Sequence, residues 1–231
     1  MSIKQRFAII FLCTLNMQMY SRRSYYSEPK PNYRMTIMID PAANARIIEG
    51  CFEFGITLQC AEQLKQELEK EYRQLRIVLT RHPGQTVQPL QNANFANRLD
   101  VDFYLSIHFY QETDTKPKLS LYHFSYGNDL VNKTFDLCFY PYDQAYIFNK
   151  AQTEEWIQNM KQILSQENYA ALFDVKGPYA LSFKPLIGIK TPAIAIEASL
   201  RHISDWQQYI EPIITSLRPI ITNYQKKTDE A

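Results

Sequence analysis

The chain has 231 residues, of which 45% are hydrophobic, so it is long and apolar enough to form one large domain or two small ones. With 25 basic and 24 acidic residues the net charge is +1, which argues against a nucleic-acid partner because proteins that bind nucleic acids usually carry a basic excess. The 6 glycines form no GxGxxG or Walker-type phosphate loop, and the 4 cysteines are too widely spaced for a zinc knuckle or a dense disulfide framework.

The N-terminus has the outline of a targeting segment. Lys4 and Arg6 precede an apolar run over residues 7–15. A basic start followed by about 7–15 apolar residues is typical of a secretory signal, and the run is too short to span a bilayer. A hydrophobic first element of the domain is the alternative interpretation. The chain is therefore divided into a signal-like or membrane-tethering segment, a polar linker and a domain, over residues 1–19, 20–34 and 35–231.

Apolar runs and amphipathic stretches alternate along the rest of the chain. In chain order they predict a strand, a helix, a strand, a helix, two strands, a helix, a strand and a helix, over residues 35–39, 56–72, 76–80, 92–99, 102–107, 119–124, 156–164, 193–197 and 206–224. Pro212 and Pro219 are expected to kink or divide the last helix, since proline removes an amide donor. Residues 126–150 indicate an irregular insertion with one strand near residues 145–148.

This alternation predicts a single α/β domain with a central, mostly parallel, twisted sheet and helices on both faces. Ligand sites in such sheets lie at the carboxyl ends of the strands. The polar residues that end three of the predicted strands are Asp40, His108 and Glu197. They are the first candidates for a functional site.

Four motifs around these strand ends occur in a fixed order. They are Glu53 with Leu58 and Ala61, then Leu79-Thr80-Arg81, then Ala96-Asn97 followed by Asp102 and Ser106-Ile107-His108, then Thr191-Pro192-Ala193 through Glu197. The set resembles the zinc-dependent N-acetylmuramoyl-L-alanine amidases, which cut the bond between the glycan and the stem peptide of peptidoglycan. The similarity runs from about residue 35 to residue 221.

The resemblance implies roles for three residues and a gap at a fourth. By position, Glu53 and His108 match two zinc ligands of the family, and Glu197 matches its acid/base. A catalytic zinc uses about three protein ligands and leaves one position for water. The family's first ligand is the histidine of a DPGHGG turn, and this chain has DPAANA over residues 40–45, with Ala43 in place of that histidine.

Each of these residues also has a structural interpretation. His108 can be a hydrogen-bonded residue at the end of its strand. Glu53 can stabilise its helix, because the helix dipole favours an acidic residue in the first turn. Glu197 can cap the turn that follows its strand. Three other histidines could replace the lost ligand, at positions 82, 123 and 202. The bulky Phe109 and Tyr110, directly after His108, are expected to narrow the mouth of the site.

Two functions follow from these alternatives. The first is a non-catalytic amidase-like protein without a cofactor that binds a peptidoglycan fragment or a cell-envelope protein. The second is a working zinc amidase with an altered metal shell, which hydrolyses the bond between N-acetylmuramic acid and L-alanine. Both place the protein in the cell envelope or periplasm of a bacterium, and the N-terminal segment adds a potential membrane tether.

Overall fold

The computed structural model describes residues 33–85, 87–113, 116–127 and 140–229. The signal-like segment, the first thirteen residues of the linker and the centre of the predicted insertion lie outside the described residues. Cys13 and Cys138 lie outside them as well. Cys51 is exposed and Cys60 is buried, and both are free thiols.

The described residues contain eight strands, which are β1 (Met35–Pro41), β2 (Ile47–Ile48), β3 (Cys51–Phe52), β4 (Leu75–Leu79), β5 (Phe103–Gln111), β6 (Lys118–Phe124), β7 (Asp174–Leu181) and β8 (Ala193–Leu200). Six of them form one sheet in the order β4-β1-β5-β8-β6-β7. The β4-β1, β1-β5, β5-β8 and β6-β7 pairs are parallel, and β6 runs antiparallel to β8. The remaining two strands, β2 and β3, form a small antiparallel hairpin.

Helices connect and cover these strands. The α-helices are α1 (Glu53–Glu71), α2 (Pro89–Leu99), α3 (Lys150–Leu164), α4 (Glu167–Ala170) and α5 (Ile210–Asp229). Three 3₁₀ segments lie at Tyr142–Asn149, Lys184–Leu186 and Ile203–Tyr209. Helix α1 forms because its apolar residues recur every four positions and bury one stripe, which consists of Ile56, Cys60, Leu64 and Leu68.

Both faces of the sheet are covered. One face packs its alternate residues, such as Ile37 and Leu105, in a large core with α1, α3 and α5. The opposite face packs Met38 and Tyr104 against α2 and the 3₁₀ segment at Lys184–Leu186. The predicted α/β domain with a mostly parallel sheet and helices on both faces is therefore confirmed.

Three features differ from the sequence-based expectations. The prediction of a strand near residues 145–148 was wrong, because Tyr142–Asn149 is a 3₁₀ segment in which only Ala145 is buried. Strand β7 was not predicted, because it is an exposed edge strand interrupted by Gly177 and Pro178. Neither proline ends the last helix, which runs from Ile210 to Asp229; Pro212 lies in its first turn, where an amide has no helical acceptor to lose.

Within the described residues, no helix is both long enough and apolar enough to cross a membrane. The predicted membrane tether, residues 1–19, lies outside them.

Candidate functional site

The carboxyl ends of three neighbouring strands meet on the sheet face that α2 covers. Strand β5 lies between β1 and β8, and its register places Ser106 beside Asp40 and His108 beside Glu197. In parallel strands, residues that are paired in register point to the same face. The topology therefore brings together Asp40, His108 and Glu197, the three strand-end residues singled out by the sequence.

Glu53 joins this group from the first turn of α1. Its carboxylate is fully buried, accepts a hydrogen bond from the Phe109 N–H at 2.9 Å and lies 3.9 Å from His108 Nδ1. Its other oxygen, Oε2, has no hydrogen-bond partner among the described residues. Two ligands of one zinc ion, each about 2.0–2.2 Å from the metal, are at most about 4 Å apart, so these two side chains are close enough to share an ion.

The β2–β3 hairpin adds a residue that the sequence analysis missed. Glu49 and Gly50 form its two-residue turn with φ values of 47° and 80°, as a type I′ turn requires. One step beyond the last paired residues, the Glu53 N–H donates to the Arg46 carbonyl at 2.8 Å. The hairpin register therefore holds Arg46 directly opposite Glu53.

The Arg46 guanidinium bridges the two acidic residues of the site. Its Nη1 donates to Glu197 Oε1 at 2.8 Å, and its Nε lies 3.9 Å from Glu53 Oε2. The second oxygen of Glu197 accepts a hydrogen bond from the Tyr122 hydroxyl at 3.1 Å. Glu197 thus has a partner on each oxygen, and neither partner lies in the following turn that it was alternatively expected to cap.

Burial shifts the protonation equilibria of this cluster. It lowers the pKa of His108 to about 4, so the ring is neutral at pH 7. Burial also raises the pKa of Glu53, while the Phe109 N–H and the Arg46 charge favour its ionised form. The site at neutral pH contains a neutral imidazole and a desolvated acid beside a permanent cation.

A chain of hydrogen bonds at Nε2 fixes the orientation of the His108 imidazole. The Ser106 hydroxyl lies 3.0 Å from Asp40 Oδ2 and 2.9 Å from His108 Nε2. Asp40 also accepts from the Thr80 hydroxyl at 2.6 Å and the Asn92 amide at 2.8 Å. With Asp40 ionised, Ser106 gives its one proton to the carboxylate, and His108 Nε2 must donate to Ser106. The network therefore assigns the lone pair to His108 Nδ1, which faces Glu53.

Arg81, the last residue of the LTR motif, ties this end of β1 to α1. It is 2% exposed, and its guanidinium donates to the carbonyls of Pro41, Ala42 and Phe54 at 2.9, 2.9 and 2.6 Å. These bonds join the end of β1 to the first turn of α1. Arg81 therefore positions the first turn of α1, which carries Glu53.

A small cavity of about 180 Å³ opens at the gap left by the missing histidine. Ala43, Asn44 and His108 line it together with Pro185. The Asn44 amide nitrogen lies 3.4 Å from His108 Nδ1, so it can donate to the lone pair assigned there. Ala43 itself contributes only a methyl group to this cavity.

The residues present do not fit the three-ligand zinc that the resemblance implies. Ala43 carries no donor atom, and the described residues contain no group of three His, Cys, Asp or Glu side chains that could hold a metal. None of the three alternative histidines completes such a group, and His202 instead contacts Glu49 at 2.8 Å. The lone pair of His108 and the Glu53 carboxylate supply two ligands, and Arg46 supplies a positive charge beside them.

An aromatic row extends from the cluster toward the edge strand. It consists of Phe183, Tyr122 and Tyr179, with ring centroids 4.9 and 5.5 Å apart, and Phe183 also meets the His108 ring edge-on at 5.2 Å. Tyr179, at the outer end of the row, is 42% exposed. The sequence analysis missed this row because its members lie on β6, β7 and the loop after β7, and no spacing in the chain links them.

The expected narrowing of the site by Phe109 is wrong. Phe109 is 1% exposed and packs with Tyr209 in the core on the other face of the sheet, because successive strand residues alternate between faces. Tyr110, on the His108 face, is half-buried, and its hydroxyl donates to Glu112. The aromatic row therefore forms one part of the surface near His108, and the cavity beside Ala43 forms another.

Comparisons with known proteins agree with this geometry. The family model described as N-acetylmuramoyl-L-alanine amidase matches residues 37–208. A curated relative, the amidase CwlM of Bacillus licheniformis, is 37% identical over 76 residues, which is 31% of this chain and 30% of that protein. The chain thus spans less than a third of this relative's length in the match.

Solved structures show the same fold. An N-acetylmuramoyl-L-alanine amidase from Clostridium difficile 630 aligns with a TM-score of 0.57 and 19% identity, covering 83% of this chain and 98% of the other. The amidase Ami1 of Mycobacterium smegmatis aligns with a TM-score of 0.55 and 13% identity, covering 85% and 99%. At these identities the likeness concerns the fold.

Proposed function

The chain belongs to the N-acetylmuramoyl-L-alanine amidase family, and on that basis we propose that it binds peptidoglycan fragments without hydrolysing them. The observation that carries this proposal is the side chain at position 43. By position Ala43 replaces the family's first zinc ligand, in a site that otherwise keeps Glu53, His108 and Glu197 together. Hydrolysis of an amide needs an activated water, and in this family zinc supplies it by lowering the pKa of that water.

The engagement of Glu197 supports the same conclusion. A general base needs a free lone pair within hydrogen-bond reach of the water that it deprotonates. Each oxygen of Glu197 already accepts one hydrogen bond, from Arg46 and from Tyr122, and keeps a second lone pair. We assign the carboxylate a structural role because its ion pair is with Arg46 and the described residues contain no third ligand for a zinc ion that would activate a water.

Two features support binding. The cavity beside Ala43 has a mixed lining, in which Asn44, Asn92 and His108 can form hydrogen bonds with the amide groups of a stem peptide. The aromatic row runs from Phe183, which contacts His108, to the exposed Tyr179. Its rings provide a flat apolar surface, and the tyrosines add a polar hydroxyl at one end of the ring. Together they offer adjoining surfaces for the peptide and the sugar of one fragment.

We expect the purified protein to bind a muramyl dipeptide in isothermal titration calorimetry. Tyr179→Ala should weaken this binding about 10-fold, since an aromatic contact is worth about 0.5–1.5 kcal/mol beyond its area. Tyr33→Ala is the matched control, because Tyr33 is also 42% exposed but precedes β1 at the opposite end of the strand. Absence of binding, or equal effects of the two substitutions, would contradict the proposed surface.

Catalysis is tested separately. We expect no release of stem peptides from purified peptidoglycan, with or without added zinc, measured by chromatography of the soluble products. Glu197→Gln should leave this baseline unchanged, because the wild-type carboxylate takes no part in a reaction. Release by the wild-type protein that disappears in Glu197→Gln would establish the alternative, an active zinc amidase with an altered metal shell.

The proposed location is the bacterial cell envelope, where peptidoglycan lies. It is supported by family membership and by the signal-like pattern of residues 1–19. Residues 1–34 fused to a reporter should carry it out of the cytoplasm or to the membrane, as measured by fractionation. The same fusion with Lys4 and Arg6 replaced by Glu tests the basic start, and a wild-type fusion that stays in the cytoplasm would count against the proposed location.

A further inference from the structure

Arg46 is unusual because its half-exposed guanidinium lies next to the fully buried carboxylate of Glu53. Its guanidinium lies 2.8 Å from Glu197 Oε1 and 3.9 Å from the unpartnered Oε2 of Glu53. We propose that Arg46 is the resident cation of this site: it takes the electrostatic place of the metal ion and prevents a divalent metal from binding. This inference concerns the chain's own charge balance and holds whichever fragment the protein binds.

The charges of the cluster explain why a cation is needed. Glu53 and Glu197 approach one guanidinium from two elements, α1 and β8. An ionised carboxylate that is buried without a compensating charge is strongly destabilising. In a metalloenzyme of this fold the metal supplies that charge, and here the described residues place Arg46 beside both carboxylates.

Arg46 differs from an ordinary surface ion pair. Exposed pairs are well solvated and contribute little, as for Arg218 with Glu71, whose side chains are 44% and 37% exposed. In the Arg46–Glu53 pair the cation is 49% exposed but the Glu53 side chain is 0% exposed, so this interaction is less screened by water than one between two exposed groups.

The backbone holds Arg46 in this position from both sides. On one side its carbonyl accepts the Glu53 N–H, which closes the β2–β3 hairpin. On the other side the hairpin tip is anchored, because Glu49 accepts the Ile203 N–H and contacts His202, both at 2.8 Å. The guanidinium therefore projects from a fixed point and does not have to be recruited from a flexible loop.

A guanidinium and a metal ion exclude each other here. Guanidinium remains protonated at every accessible pH and has five donors but no lone pair, so it cannot itself ligate a metal. A zinc ion bound to Glu53 and His108 would lie beside this positive charge, because the guanidinium is 3.9 Å from Glu53 Oε2 and His108 Nδ1 is 3.9 Å from Oε1 of the same carboxylate. The two cations would repel each other and would share the negative charge of one carboxylate. Restoring the missing histidine alone is therefore not expected to restore metal binding.

The test is a zinc titration by calorimetry of four proteins. They are the wild type, Ala43→His, Ala43→His with Arg46→Ala, and Ala43→His with Arg218→Ala as a charge-matched control on the surface. We expect the variant that lacks Arg46 to bind one zinc per chain with an affinity on the order of 100-fold above that of Ala43→His alone. The Arg218 control should match Ala43→His.

Three results would overturn the inference. The first is that Ala43→His alone binds zinc as tightly as Ala43→His with Arg46→Ala. The second is that Ala43→His with Arg46→Ala is folded by circular dichroism but binds no zinc. The third is that the Arg218 control shows the same gain in affinity. If Arg46→Ala does not fold, Arg46→Gln replaces it in the series, because its amide can still donate to Glu197 and carries no charge. Binding of the muramyl dipeptide is measured independently, so failure of this inference and failure of the proposed function are distinguishable.

Discussion

Arg81→Ala is expected to reduce the free energy of unfolding by about 3–5 kcal/mol. The side chain is 2% exposed and donates to three main-chain carbonyls, one of them in the first turn of α1. Its removal deprives those carbonyls of a charged donor and leaves a large cavity at the joint between β1 and α1. Urea unfolding followed by circular dichroism measures the loss.

Two further variants sharpen this prediction. Arg218→Ala removes a surface arginine of the same charge and should change stability by less than about 1 kcal/mol. Arg81→Lys should recover only a small part of the loss, because one ammonium cannot reproduce a fork that reaches Pro41, Ala42 and Phe54 together. Equal stability of Arg81→Ala and Arg218→Ala would show that the hydrogen bonds of the buried Arg81 guanidinium do not stabilise the fold.

The sheet and the strand ends could be predicted because they depend on local pattern. Buried parallel strands have near-continuous apolar runs, and the three strands that meet at the site, β1, β5 and β8, have such runs. The order of the strands along the chain, together with the rule that ligand sites lie at the carboxyl ends of strands, was enough to predict that Asp40, His108 and Glu197 lie at one edge of the sheet. Strand β7 escaped because it is exposed and has a Gly-Pro pair, so it lacks that signal.

Arg46 could not be found in the same way. Its role depends on a two-residue turn at Glu49 and Gly50, which sets the hairpin register and thereby the residue opposite Glu53. The sequence showed that residues 40–45 lack the glycines of the family's DPGHGG turn. It did not show that residues 47–48 pair with residues 51–52, because strands of two residues are too short to carry a periodic pattern.

Phe109 shows that a residue next to a motif in the sequence need not lie next to it in the site. A neighbour in the sequence of a strand is on the opposite face in space. Phe109 therefore belongs to the core, and its contribution to the site is its backbone N–H, which donates to Glu53. Backbone donors carry no residue-type signal, so sequence analysis could not assign this contact.

Asp40→Ala is expected to reduce the free energy of unfolding by about 3 kcal/mol and to change the tautomer of His108. Asp40 is buried and accepts from Thr80, Asn92 and Ser106, so its removal leaves the Thr80 hydroxyl and the Asn92 amide without this acceptor, while Ser106 keeps His108 Nε2 within reach. The loss is moderated because burial raises the pKa of this carboxyl, which means that its charged form is already penalised in the fold. Chemical denaturation measures the stability.

The tautomer follows from the direction of the hydrogen-bond chain. In the wild type Ser106 gives its proton to Asp40, so His108 Nε2 must carry a proton and Nδ1 holds the lone pair. Without Asp40 the Ser106 hydroxyl is free to donate to Nε2, which moves the imidazole proton to Nδ1, opposite the Glu53 carboxylate at 3.9 Å. Nitrogen chemical shifts of the labelled imidazole distinguish the two forms. Asp174→Ala, which removes an exposed acid paired with Lys116, should change neither quantity, and a His108 tautomer that is the same with and without Asp40 would contradict the assigned chain.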